Sequence, residues 1–358
     1  MNECHLLVGT YTQGQSEGIH RYRFEGTTGR CEEQGVTTTP SPSYLAIAHD
    51  QRFVFAVNEI GSDRPGEVSA FRFYPRTGEL TFINKVSSQG ADPCYVSVSP
   101  DGRYLFIANY SGGSLAVIPV DESGRLDRAV QVIEFEGGSR VDPERQEAAH
   151  IHSTVVSPDG KYLFVGDLGN DKLYRFTITD DVRQPLHEES AAHLPVDPGK
   201  GPRLMRFSPD GRFAYLIGEL DGEIDVLAYA NGELEKVQSV NMAPKNVQTL
   251  KHGGAEVQMS PDGRFLYASN RGSQNEIVIY AVNAENGMLT LQGHESTHGE
   301  TPRHFTLDPS GRFLLVGNQD SGHIAIFKCD IDSGLLQGTP EIIALDDPAF
   351  LLMVPVAG

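Results

Sequence analysis

Arg203, Arg271, Arg303, Glu219, His150 and His152 are the residues of this chain whose types and placement suit chemistry. Guanidinium groups grip carboxylate or phosphate oxygens in bidentate fashion, so three arginines directed at one mouth would hold an anionic ligand. A carboxylate or a neutral imidazole beside an electrophile can take a proton from water. Nearby arginines weaken a glutamate as a base, which leaves His152 as a rival to Glu219 for that role. His150 and His152 are two residues apart and share a face in an extended strand. A pair at that spacing could ligate zinc, but no third ligand at metal spacing accompanies it, so neither metal nor other cofactor is expected. The competing readings are ordinary ones: each arginine serves a strand-end ion pair, and Glu219 pairs with one of them.

The elements that position these groups follow from an internal repeat. Six segments share one plan, among them YVSVSPDGRYLFIANY, LMRFSPDGRFAYLIGE and EVQMSPDGRFLYASNR. Their turns fall at Asp50, Asp101, Asp159, Asp210, Asp262 and Ser310, at spacings of 51, 58, 51, 52 and 48 residues. In each copy an alternating, β-branched strand enters Ser-Pro-Asp-Gly or a close variant, and glycine, where present, is free to take positive φ. A strand apolar enough to be buried on both faces follows, then a Gly/Ser/Asn turn, a third strand and a weaker fourth. Four antiparallel strands in about 50 residues make one propeller blade.

The ends of the chain set the number of blades. Residues 6–24 match strands two and three of a blade that lacks its first strand, and DDPAFLLMVPV at the C-terminus matches a first strand with nothing after it. The expectation is an all-β, seven-bladed propeller in a single domain, residues 1–358, closed by the C-terminal strand joining the N-terminal blade. Closure removes open sheet edges.

Aligned through the turn, the copies define two rim columns. Strand one starts with Ser43, Cys94, His152, Arg203, Ala255, Arg303 and Ala349; strand two ends with Tyr11, Glu59, Tyr110, Leu168, Glu219, Arg271 and Gln319. Scaffold positions repeat their residue type, whereas these do not. Variable polar residues at equivalent rim positions point to a ligand site. Glu59, Tyr110 and Gln319 join His150 and Arg303 as expected substrate contacts. Glu256, next to the column, is expected on the opposite strand face. Segment 136–150, EGGSRVDPERQEAAH, accounts for the longest spacing and reads either as a lid over the mouth or as a solvated loop.

Composition narrows the partners. A net charge of −19 and pI of about 5.0 oppose nucleic acid and anionic membrane. No apolar run reaches the length of a membrane span. Cys4, Cys31, Cys94 and Cys329 are widely spaced with no CxxC pair, which suits a reducing compartment; with no room for a signal peptide before the first strand, the expected location is the cytoplasm. No nucleophile elbow, P-loop or dinucleotide fingerprint is present in context, so covalent serine chemistry is not favoured.

Three stretches, HIHSTVVSPDGKYLFVGDLG, GPRLMRFSPDGRFAYLIGEL and AEVQMSPDGRFLYASNRG, make the chain resemble the bacterial 6-phosphogluconolactonases of the seven-bladed propeller type, to which fungal carboxymuconate-lactonising enzymes are similar. The resemblance implies that His152, Arg203, Glu219 and Arg271 match catalytic positions. It also implies metal-independent action on a small anionic sugar lactone; a mechanism that suits these residues has water attacking the carbonyl and an arginine holding the oxyanion. One departure is Leu204, where such proteins often carry a histidine after the arginine; here the pair Arg303-His304 lies elsewhere. Two other readings stay open: a cycloisomerase of the carboxymuconate type, and a non-catalytic propeller that binds a sugar acid or a protein. The absence of tryptophan argues against a protein-docking rim.

Overall fold

The computed structural model describes residues 3–243 and 253–357. Among the described residues, 28 strands form seven four-stranded antiparallel sheets, and no helix occurs. Each sheet is one blade. Blade 1 orders Pro348–Pro355, Glu3–Thr10, Gly18–Glu25 and Arg30–Thr38, so the C-terminal strand completes the N-terminal blade as expected. Blades 2 to 7 start at Pro42, Pro93, Ile151, Pro202, Gly254 and Pro302 and run in chain order from first to fourth strand. By contacts the chain divides into two compact units, Met1–Thr38 with Leu204–Gly358, and Thr39–Arg203.

The core lies between neighbouring blades rather than at one centre. In the Thr39–Arg203 unit, Phe55, Val57 and Val68 of blade 2 pack with Leu105, Ile107 and Ala116 of blade 3. In the other unit, Leu6, Val8 and Phe24 of blade 1 meet Leu315, Ile324 and Phe313 of blade 7. The second strand of each blade is sandwiched on both faces; Tyr104–Asn109 and Phe265–Asn270 are buried throughout. Each such side chain contributes roughly 1.5–3 kcal/mol by leaving water.

The repeated turn is a staple. In blade 5, Ser208 Oγ donates to Asp210 Oδ1 at 2.7 Å, Arg212 N to the same oxygen at 3.2 Å, and Arg212 Nε to Oδ2 at 2.7 Å. The far end of the guanidinium reaches the next blade, donating to the Ala284 carbonyl at 2.6 Å. Arg312 repeats this between blades 7 and 1, donating to Gly26 O at 3.0 Å. The most recurrent motif of the sequence thus ties blades together and leaves function to other positions.

Candidate functional site

A common backbone frame presents the two rim columns. At the end of strand two, the amides of Tyr11, Glu59, Tyr110, Leu168, Arg271 and Gln319 donate to the carbonyls of Asp347, Ser41, Asp92, His150, Gly253 and Thr301, at 2.9–3.1 Å. The acceptor stands two residues before the first-column residue in every case. Four of these acceptors, Ser41, Asp92, Thr301 and Asp347, hold left-handed φ of 38–57° without being glycine, a conformation that costs free energy and clusters at functional sites. Beyond them the strand-one ladder slips by one residue at Ser43, Cys94, His152, Arg303 and Ala349, and between Gly254 and Val257. A bulge of this kind leaves one residue out of the ladder and re-aims its side chain. The residue just before the second column is scaffold. Asn58, Asn109 and Asn318 are fully buried and donate to the carbonyls of Pro40, Ser88 and Thr297.

In the Thr39–Arg203 unit, His150, His152, Tyr110 and Cys94 come together, and Arg203 is buried to 6% exposure. The His150 ring stacks on Tyr110 at 4.4 Å and 13°, while His152 meets the same ring edge-on at 5.5 Å. His150 Nδ1 lies 3.1 Å from the Tyr110 carbonyl and Nε2 lies 3.1 Å from Glu147 Oε1. His152 Nδ1 is 3.9 Å from Cys94 Sγ. Arg145 Nη2 donates to the Tyr110 hydroxyl at 3.2 Å.

Segment 136–150 is an irregular loop with exposed residues such as Arg140, Val141 and Glu144, and it is anchored at several points. Asp142 caps its turn through Oδ1, accepting from Glu144 N and Arg145 N. Gln146 is fully buried and donates to Leu168 O at 2.9 Å. Asp167, also fully buried, accepts from His150 N at 2.9 Å and from Asn170 Nδ2 at 2.7 Å. Burial raises its carboxyl above the ordinary aspartate range, against the opposing pull of the bonds from Asn170 and His150.

In the other unit, Glu219 and Arg271 form a buried ion pair, Oε2 to Nη2 2.9 Å, with side-chain exposures of 7% and 16%. Arg271 Nε also donates to Gly253 O at 3.2 Å. The pairing that sequence offered as the bland alternative for Glu219 is therefore present. Arg303 lies over the Tyr11 ring at 5.3 Å, a cation–π contact between the two rim columns. Gln319 and, in the first-described unit, Glu59 are partly buried on the same backbone frame.

Below these positions sits a charged cluster that sequence ranked low. Glu256, 1% exposed, lies 3.0 Å from Arg206 and 3.4 Å from His304 Nε2. His304 Nδ1 accepts from Leu351 N at 3.2 Å, and its ring packs on Phe350 at 4.1 Å. The histidine of the Arg303-His304 pair thus ties inner strands together. Arg145, Glu147, Asp167 and Asp171 also escaped sequence reasoning. They lie outside the aligned columns, and only the 58-residue spacing and the aspartate in place of asparagine at 167 marked the region.

Comparison with known proteins agrees with the architecture. The family model described as "Lactonase, 7-bladed beta-propeller" matches residues 5–353. A curated relative from Formosa agariphila, named 6-phosphogluconolactonase, is 35% identical over 351 residues, 97% of this chain and 99% of the relative. A second of that name, from Bacillus subtilis, is 33% identical and covers 95% of each chain. Among solved structures, the Pseudomonas aeruginosa periplasmic gluconolactonase PpgL superposes with a TM-score of 0.96 at 43% identity, covering 99% of this chain and 100% of that one.

Proposed function

The chain belongs to the seven-bladed β-propeller lactonase family, and from that premise we propose that it hydrolyses 6-phosphogluconolactone to 6-phosphogluconate by metal-independent activation of water. His152, Arg203, Glu219 and Arg271 are the catalytic residues of this reading. Glu219 or His152 takes the proton as water attacks the lactone carbonyl carbon. Arg203 or Arg271 stabilises the oxyanion that forms. Collapse of the tetrahedral intermediate breaks the bond to the ring oxygen, which receives the proton back, and the product is the open hydroxy acid. Arg303 supplies a cationic contact to the phosphate, and His150, Glu59, Tyr110 and Gln319 are further substrate contacts.

The observation that carries the reading is the buried Glu219–Arg271 pair, 2.9 Å apart, at two positions that vary among otherwise repeating blades. Two relatives named 6-phosphogluconolactonase support the substrate, and the one named gluconolactonase supports the lactone but not the phosphate. Hydrolysis of freshly made 6-phosphogluconolactone, with EDTA present, tests it for wild type, Glu219→Gln and Arg203→Ala. A wild-type rate equal to spontaneous hydrolysis ends the reading. Wild-type rates in both variants would keep the activity and discard the residues. Unphosphorylated gluconolactone, run in parallel, reports whether the phosphate is recognised.

Location in the cytoplasm, away from membrane and nucleic acid, is part of the same proposal. It is supported by four free thiols, by the acidic charge, and by the finding that no helix among the described residues is long and apolar enough to cross a membrane. Cell fractionation decides the compartment; recovery with a periplasmic fraction would overturn it.

A further inference from the structure

Asp171 belongs to none of the catalytic or binding positions above, yet its carboxylate accepts three hydrogen bonds. Oδ2 takes Gly199 N at 2.7 Å, and Oδ1 takes Gly201 N at 2.8 Å and Gln146 Nε2 at 2.8 Å. The first two donors belong to the loop that delivers Arg203, two residues after Gly201. The third belongs to the segment that carries Arg145, Glu147 and His150.

The loop also carries backbone bonds from Val196 N to Asp171 O at 3.3 Å and from Lys200 N to Asp197 O at 3.1 Å. Gly199 and Gly201 hold φ of 80° and 61°, and Lys200 between them is fully buried. Two left-handed glycines make a backbone with many alternatives, and the Asp171 carboxylate fixes both of their amides in the native path. The same turn presses on the other segment. A Cβ on Gly169 would run into the Ala148 carbonyl oxygen, and Asp167, four residues before Asp171, accepts the His150 amide. Residues 167–171 therefore hold two approaches at once, that of His150 and that of Arg203.

We propose that Asp171 is a positioning residue for Arg203, fixing the strand entry that aims its guanidinium while locking the 136–150 segment through Gln146. The consequence for turnover rests on the catalytic role proposed for Arg203; the anchoring itself does not. Misplacement of a catalytic group by an ångström lowers turnover by up to about 100-fold.

Asp171 holds φ of 52°, so Asp171→Gly removes the carboxylate without backbone strain, and Asp171→Asn keeps one acceptor oxygen in a residue that tolerates this conformation. The expected result for Asp171→Gly is faster amide hydrogen exchange at Gly199 and Gly201, with protection of the blade strands unchanged. Turnover of 6-phosphogluconolactone is expected to fall about 10- to 100-fold, with Asp171→Asn between it and wild type. The double variant with Arg203→Ala is expected to be no slower than Arg203→Ala alone, because both changes remove one function. Unchanged exchange at the two glycines overturns the anchoring, and additive losses in the double variant overturn the link to Arg203. If wild type turns over no lactone, the exchange measurement alone decides the anchoring. If Asp171→Gly does not fold, Gln146→Leu and Asp171→Asn carry the same comparison.

Discussion

Glu219 Oε2 lies 2.9 Å from Arg271 Nη2, and both side chains are largely removed from water. The pair joins the ends of the second strands of two adjacent blades, where the repeat otherwise varies freely. It also bears on stability, since removing either residue takes this ion pair from the other in a site largely closed to water.

Arg271→Ala is therefore expected to lower unfolding stability by roughly 3–5 kcal/mol, read from urea denaturation midpoints. Adding Glu219→Gln to it should recover part of the loss, because the side chain that lost this ion pair is then uncharged. A double variant less stable than Arg271→Ala alone would show that the ion pair is not the source.

Glu219→Gln keeps the shape of the side chain and removes its basicity. If Glu219 is the base, turnover of the lactone falls by about 10²–10⁴ at neutral pH. If His152 is the base, His152→Gln shows that loss instead, and Glu219→Gln retains the wild-type pH profile. Arg203→Ala is expected to lose roughly 10²–10³ in kcat through the missing oxyanion donor.

The Ser-Pro-Asp-Gly-Arg turn predicts an acid limb. The Ser208 hydroxyl, first, and then Arg212 hold the Asp210 carboxyl below its ordinary value of 3.8, against a smaller opposing effect of burial. A depressed folded-state value contributes stability above the unfolded value, and that contribution is lost as pH falls through the folded one. Asp210→Asn should thus be less stable than wild type at pH 7, by under about 1 kcal/mol for a half-exposed pair. The difference should shrink as the pH falls below about 4. Thermal melts across pH 2–7 check both the sign and the window.

Burial pushes the thiol of Cys4 up to about 11 and those of Cys31 and Cys329 up to about 12. None of the three carries much thiolate at pH 8, so each should react slowly with a disulfide reagent until the chain is unfolded. Fast labelling of Cys31 or Cys329 in the folded protein, located by mass spectrometry, would contradict the burial.

Much was legible from one dimension. A strand that alternates, a turn that repeats and an apolar second strand depend on local backbone chemistry, and that chemistry is written in consecutive residues. The repeat implied propeller blades, and the unmatched ends implied that there are seven and that DDPAFLLMVPV would pair with the first strand, as Pro348–Pro355 does with Glu3–Thr10. The rim columns were legible too, because a shared scaffold makes variation conspicuous. His152, Arg203, Glu219, Arg271 and Arg303 were named by disagreement among copies.

What each of those side chains touches was decided only in three dimensions. Pairing of Glu219 with Arg271 joins residues 52 apart, and Asp171 meets Gly201 and Gln146 from opposite directions along the chain. Sequence spacing carries no information about such contacts unless they repeat, and these occur once. The one-residue slip that frees His152, Cys94 and Arg303 from their ladders is equally silent, since a bulge depends on pairing with a partner strand. The residues with chemical potential were thus set by composition at repeating positions, whereas their charge states, aims and supports were set by neighbours that only folding brings near.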